Sequence, residues 1–218
     1  MCAYFPLLRL FEIDIKQSDR KSFGEGVIVG SWCRHNLPLI LPLPNVLPFP
    51  IESAVSVRPI IRFPDPLLRS PSTAVTAFDD DLRMLVDDLL DTMRAAPGVG
   101  ITGPHIGVLK RVVVIELSRE DGVRTYINPE ILWLSAETVR QTEGSVSMPG
   151  VTEEIVRPKS IRFRYRDTAG EIHEAEAHDF LAICIQHEID QLDGIFWLQR
   201  LSKLKRDRLV KKWEKMRD

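Results

Sequence analysis

The chain is poor in cysteine, has no surplus of either charge, and lacks an apolar run long enough to cross a bilayer. Its three cysteines, Cys2, Cys33 and Cys184, are scattered through 218 residues. Such spacing gives no disulfide framework and suits a reducing compartment. The net charge of −2 excludes a whole-molecule attraction to nucleic acid or to an anionic membrane, so neither DNA nor membrane is expected as a partner. A bilayer span needs about 20 consecutive apolar residues. Residues 37–51 fall short of that and are interrupted by Pro38, Pro42, Pro44, Pro48 and Pro50. No secretory leader is expected, because Glu12 and Asp14 interrupt the first apolar stretch and no cleavage-like site follows it. Hydrophobic content of 44% and charged content of 28% are those of an ordinary globular protein, read here as cytoplasmic.

Residues 1–54 also lack a sustained helical or strand period, and their prolines exclude helix over residues 37–50. They are read as a poorly ordered extension, or a mis-assigned one if translation starts downstream near Val55. His35 falls in this part and carries no signal. Residues 55–218 have the length of one domain. Residues 60–63 read as a short apolar strand, and Pro64-Asp65-Pro66 forces a turn after it. Asp79-Asp80-Asp81 suits the positive end of a helix. Leu82, Leu85, Val86, Leu89 and Met93 then share one face of it, and Pro97-Gly98 ends it. A glycine-rich loop over residues 98–107 follows, in the wrong order for a dinucleotide loop, which runs strand, loop, helix. Residues 111–117 form a β-branched strand. Residues 126–132 form another, whose Pro129 predicts an edge position or a bulge. Residues 143–150 read as a tight polar segment. Residues 160–167 alternate strictly, and Thr168-Ala169-Gly170 turns them into a second strand over residues 171–177.

Residues 181–194 draw the most attention. They read as a short buried helix with Asp179 as N-cap and Gly194 as C-cap. Gln186, His187, Glu188 and Asp190 stand within its apolar run. Burying such groups costs free energy unless they have partners or a task. His187-Glu188 has the spacing of the two-histidine helix of zinc hydrolases, in which His at i and i+4 hold metal and Glu at i+1 moves protons. Here the i+4 residue is Gln191. Cys184 is read as a core cysteine, His173 and His178 as surface residues, and Gln186 as a brace for backbone. Asp190 is read as a structural partner of Arg157. The helix over residues 200–218 is rich in Lys and Arg and is read as packing through Leu201, Leu204, Leu209 and Trp213. Its functional alternative is an electrostatic contact with ribosomal RNA.

Three segments in order resemble peptide deformylase, the metallohydrolase that removes the formyl group from N-terminal formylmethionine. The family's Gly-x-Gly-x-Ala-Ala-x-Gln loop matches residues 98–105, its Glu-Gly-Cys-x-Ser segment matches Glu143-Gly144-Ser145-Val146-Ser147, and its Gln-His-Glu-x-Asp-His helix matches residues 186–191. Asp91-Thr92-Met93, Ile127-Asn128-Pro129 and Pro149-Gly150 agree at the flanks. The resemblance covers about residues 56–215. It implies an α+β fold with antiparallel β-sheets wrapped around the central motif-bearing helix, and a nascent peptide N-terminus as the ligand.

By the same resemblance, Ser145, His187 and Gln191 occupy the metal-ligand positions, and only His187 is retained. Glu188 occupies the general acid/base position, and Val146 that of the backbone oxyanion donor. His105 replaces the glutamine that holds the formyl oxygen, and Thr102-Gly103 replaces an Ala-Ala pair. Gly100, Glu143 and Gly144 fall at substrate-binding positions, and Arg157 at a structural one. A serine hydroxyl keeps its proton near neutrality and is a weak donor to iron or zinc, while a glutamine amide oxygen suits harder cations. No tightly bound metal is therefore expected, and if one is bound it is a divalent Fe or Zn. Two readings stand beside a loss of classical activity: an active hydrolase with a metal site rewired around His105 and His187, and a noncatalytic module that binds a peptide N-terminus or a partner. A serine-nucleophile reading of Ser145 lacks a third, orienting group.

Overall fold

The structure is a computed structural model that describes residues 56–96 and 98–217. The expected extension over residues 1–54, with its prolines and His35, and the helix-ending Pro97 lie outside the described residues. No helix among the described residues is long and apolar enough to cross a membrane. The chain forms α1 (Asp80–Ala95), β1 (Gly100–Thr102), β2 (Val112–Ile115), β3 (Arg124–Leu134), β4 (Thr138–Gly144), β5 (Thr152–Pro158), β6 (Ser160–Arg166), β7 (Ile172–His178), α2 (Asp179–Leu192) and α3 (Lys203–Arg217), with 3₁₀ turns at Pro66–Arg69, Gly103–Ile106 and Trp197–Arg200. An antiparallel five-stranded sheet runs in the order β1-β2-β3-β6-β7, and β4 and β5 form a separate antiparallel hairpin.

β2 explains how the sheet holds two helices. All four of its residues are buried, and successive side chains of a strand point to opposite faces. Val112 and Val114 pack with Leu82, Leu89 and Met93 of α1. Val113 and Ile115 pack with Ile185, Ile189 and Leu192 of α2, together with Ile161 and Phe163 of β6. A third cluster joins Phe63, Leu68, Met148, Val151, Ile155, Phe196 and Trp197 to Leu209 and Trp213 of α3. α1 starts where the acidic run predicts, with the Asp79 carboxylate accepting the Leu82 N–H at 3.1 Å.

The structure corrects several expectations. Residues 60–63 are extended but form no strand, because their hydrogen bonds go singly to irregular backbone: Ile61 N–H to His105 O at 2.8 Å and Phe63 N–H to Ser147 O at 3.0 Å. The glycine-rich loop contains an ordered strand, β1, and a 3₁₀ turn. β3 lies inside the sheet, so of the two expectations for Pro129 the bulge holds and the edge position does not, with a register shift between Ile127 and Glu130. Asn128 sits there at φ 51°, and its side-chain amide exchanges two 2.8 Å hydrogen bonds with the Val75 backbone. β4 and β5 were not expected, because charged and polar residues on their exposed side hide the alternation. α2 begins at Asp179 itself, with His178 as cap residue. Gly194 lies one position past the Asp193 cap at φ 76°, where an added Cβ would meet Arg69 O at 2.6 Å. Leu204 belongs to no packing stripe, since it is 82% exposed.

α3 is anchored by more than its apolar face. Trp213 Nε1 donates to Phe63 O at 3.1 Å, and Lys205 and Arg208 both reach Glu153 of β5. Trp213→Ala removes the buried indole and that bond. It is expected to lower unfolding stability by about 3–5 kcal/mol, measured by urea denaturation of the purified chain.

Candidate functional site

α2 supplies the polar center because it is buried on nearly every side: each residue from Ala182 to Leu192 is buried. The helix buries five polar side chains, which require partners, and four of them find partners from four directions. Gln186 Nε2 donates to Ala182 O one turn back and to Pro158 O at the end of β5. His187 Nδ1 meets Glu143 Oε2 at 2.8 Å. Asp190 accepts from Arg157 Nη1 at 2.8 Å and from Arg200 Nε at 2.9 Å. Gln191 Nε2 donates to Leu68 O at 2.8 Å, tying α2 to the 3₁₀ turn Pro66–Arg69.

Glu143, near the end of β4, is fully buried and is held by Arg157 through Nε at 2.5 Å and Nη2 at 2.9 Å. Burial opposes its ionisation, but the hydrogen bonds from His187 and Arg157 outweigh that and hold the carboxyl at about 2. Burial likewise opposes the Arg157 cation, and its bonds to Glu143 and Asp190 reverse the effect, raising its pKa. Gly144 closes β4 opposite Thr152. Ser145 follows, its hydroxyl accepting the Ser147 N–H at 3.1 Å, while Met148 N–H returns to Ser145 O at 2.9 Å. Val146 is buried in that turn, and its carbonyl accepts from the Arg62 guanidinium.

β1 approaches α2 from the other side. A Cβ on Gly100 would lie 2.4 Å from Glu188 Oε1, so only glycine allows strand and carboxylate to come this close. Glu188 Oε2 is buried with no hydrogen-bond partner among the described residues, and burial raises its pKa. His105 sits in the 3₁₀ turn after β1 with Nδ1 accepting the Thr102 N–H at 3.0 Å. Burial, aided by the charge of nearby His187, drives its pKa well below the usual histidine range. The ring is therefore neutral and carries its proton on Nε2, which is buried without a partner among the described residues.

The structure thus brings Glu143 to His187, Gly100 to Glu188 and His105 near His187, while Ser145 and Gln191 are turned toward backbone partners. Among the described residues no three His, Cys, Asp or Glu side chains are grouped to hold a metal ion. Cys184 is a core residue at 0% exposure, His173 and His178 are exposed, and Asp190 has the expected Arg157 partner. Sequence reasoning missed the Leu68 carbonyl, the Arg200 contact with Asp190 and the tie of Thr102 to His105. Only Thr102 leaves a readable trace, as the first residue of a Thr-x-x-His turn start.

The Glu143 carboxyl makes stability depend on acid. Its pKa is lower in the folded chain than the ordinary 4.5, so its contribution is complete above that value and is lost as pH falls toward 2. The shift corresponds to about 3 kcal/mol. Urea unfolding followed from pH 5 to pH 2 should show this loss, and Glu143→Gln should flatten it. Equal acid slopes in the two proteins would contradict the pairing.

Comparison with known proteins identifies the family and the fold. The family model for polypeptide deformylase matches residues 57–207. A peptide deformylase-like protein of Brucella melitensis is 59% identical over 162 residues, covering 74% of this chain and 99% of its own length. A peptide deformylase of Phenylobacterium zucineum is 43% identical over 164 residues, covering 74% and 97%. The crystal structure of peptide deformylase from Ehrlichia chaffeensis superposes with a TM-score of 0.69 at 37% identity, covering 75% of this chain and 98% of that one. The protein belongs to the polypeptide deformylase family, whose α+β fold it shares.

Proposed function

We propose that this chain keeps the deformylase scaffold but that metal-dependent removal of the formyl group from N-terminal formylmethionine is absent or severely reduced. The observation that carries this reading is the direction of Gln191: its amide nitrogen is committed to Leu68 O inside the protein, and the residue offers a metal only one neutral amide oxygen. Ser145 offers a hydroxyl that already accepts the Ser147 N–H. His187 is the only strong transition-metal donor at the three ligand positions, so the donor set does not fit a tightly held iron or zinc. Strong ligands contribute roughly 3–4 kcal/mol each, and losing two lowers affinity on the order of 10⁴- to 10⁶-fold. Relatives at 57–60% identity carry the name peptide deformylase-like and those at 42–43% the name peptide deformylase.

A second reading, capture of a peptide N-terminus without turnover, is favoured by the two polar atoms left in the site. His105 Nε2–H is a buried donor and Glu188 Oε2 a buried oxygen, both without partners among the described residues. Each costs about 1–3 kcal/mol if left so, and a bound peptide amide would satisfy both kinds of group.

The test compares the protein, purified without oxygen, with the triple variant Ser145→Cys, Gln191→His, His105→Gln. The parent is expected to hold well under one metal per chain and to leave formyl-Met-Ala-Ser intact, and the triple variant to bind metal and hydrolyse it. A parent with about one metal and clear turnover contradicts the proposal. Binding of the unhydrolysed peptide by the parent supports the second reading.

A further inference from the structure

Beside the 3₁₀ turn that receives Gln191 lies a cavity of about 250 Å³, separate from the α2 center. Arg69, Arg206 and Gln199 supply its polar wall, and Phe63, Phe196 and Val210 belong to its apolar lining. Phe63 and Phe196 stack with ring centroids 5.3 Å apart and 15° between planes, which makes that lining rigid. No carboxylate lines the cavity. Neither guanidinium has an ion-pair or hydrogen-bond partner among the described residues. Several other arginines are closely paired, as at Arg94–Glu116, Arg157–Glu143 and Arg164–Glu174.

Two like charges lining one concavity repel each other, and no ion pair from the described residues compensates them. A dianion placed between them would supply it. Guanidinium groups present paired N–H donors that match the oxygens of phosphate, and the Gln199 amide adds a neutral donor. The apolar lining would accept a carbon body attached to that phosphate. We infer that this cavity is a phosphate-binding site that takes a compact phosphate dianion, either inorganic phosphate or the head of a phosphomonoester. The turn that carries Arg69 also presents Leu68 O to Gln191, so an occupied cavity adjoins the α2 center without being part of it.

The test titrates the full chain with inorganic phosphate and with phenyl phosphate by calorimetry, using chloride at matched ionic strength as the reference. Both phosphates should bind where chloride does not. Phenyl phosphate binding more tightly assigns an organic phosphomonoester, and equal binding assigns the free ion. Arg69→Gln and Arg206→Gln should each weaken binding about tenfold. Arg69 is exposed and Arg206 half-buried, and the variants should keep the parent's urea midpoint, which separates a lost site from a lost fold. Phosphate binding no stronger than chloride, or unchanged in the double variant, overturns the assignment.

Discussion

The buried guanidinium of Arg157 is the interaction on which the rest of the structure depends. It joins Glu143 at the end of β4 to Asp190 on α2, and Asp190 in turn holds Arg200 just ahead of α3. Separate elements therefore meet at one buried cation. Each charge in the chain is tolerated because its neighbour neutralises it, and removing one partner would strand the others at a cost of about 3–5 kcal/mol. The same network orients His187, whose ring is fixed by the Glu143 oxygen that also accepts from Arg157. Fold and site are thus one electrostatic unit.

Under the proposed function, Ser145 and Gln191 bring a hydroxyl and an amide to that unit, and both are engaged with backbone. Gln191 draws the Pro66–Arg69 turn onto α2 through its bond to Leu68 O, and Ser145 tightens the turn between β4 and β5. Under the proposed function these groups hold the fold together by hydrogen bonds that need no ion. His105 contributes in the same way, bound to Thr102 through Nδ1 and kept neutral by burial.

Much of this was legible in the sequence, and the unread parts have physical causes. α1 and the strands β2 and β6 follow from periodicity, since one or both faces of each are apolar, and β7 follows from the turn at Thr168-Ala169-Gly170. The polar residues of α2 stood out because they interrupt a buried run. β4 and β5 did not, because Arg140, Gln141, Glu153 and Glu154 mask the alternation of a half-exposed hairpin. The interior place of β3 was obscured by Pro129, whose bulge is stabilised by Asn128 and a segment 53 residues away. The Leu68 carbonyl could not be read at all: any residue provides a backbone acceptor, and only the fold decides which one faces Gln191.

The most direct test of the central claim is a cobalt(II) titration of the metal-free protein beside its Ser145→Cys, Gln191→His variant, followed by visible absorbance. The account predicts no saturable thiolate-type spectrum for the parent and binding tighter by at least about 10⁴-fold in the variant. Equal cobalt affinity in the two proteins would contradict it, and would mean that Ser145 and Gln191 still serve a working metal center.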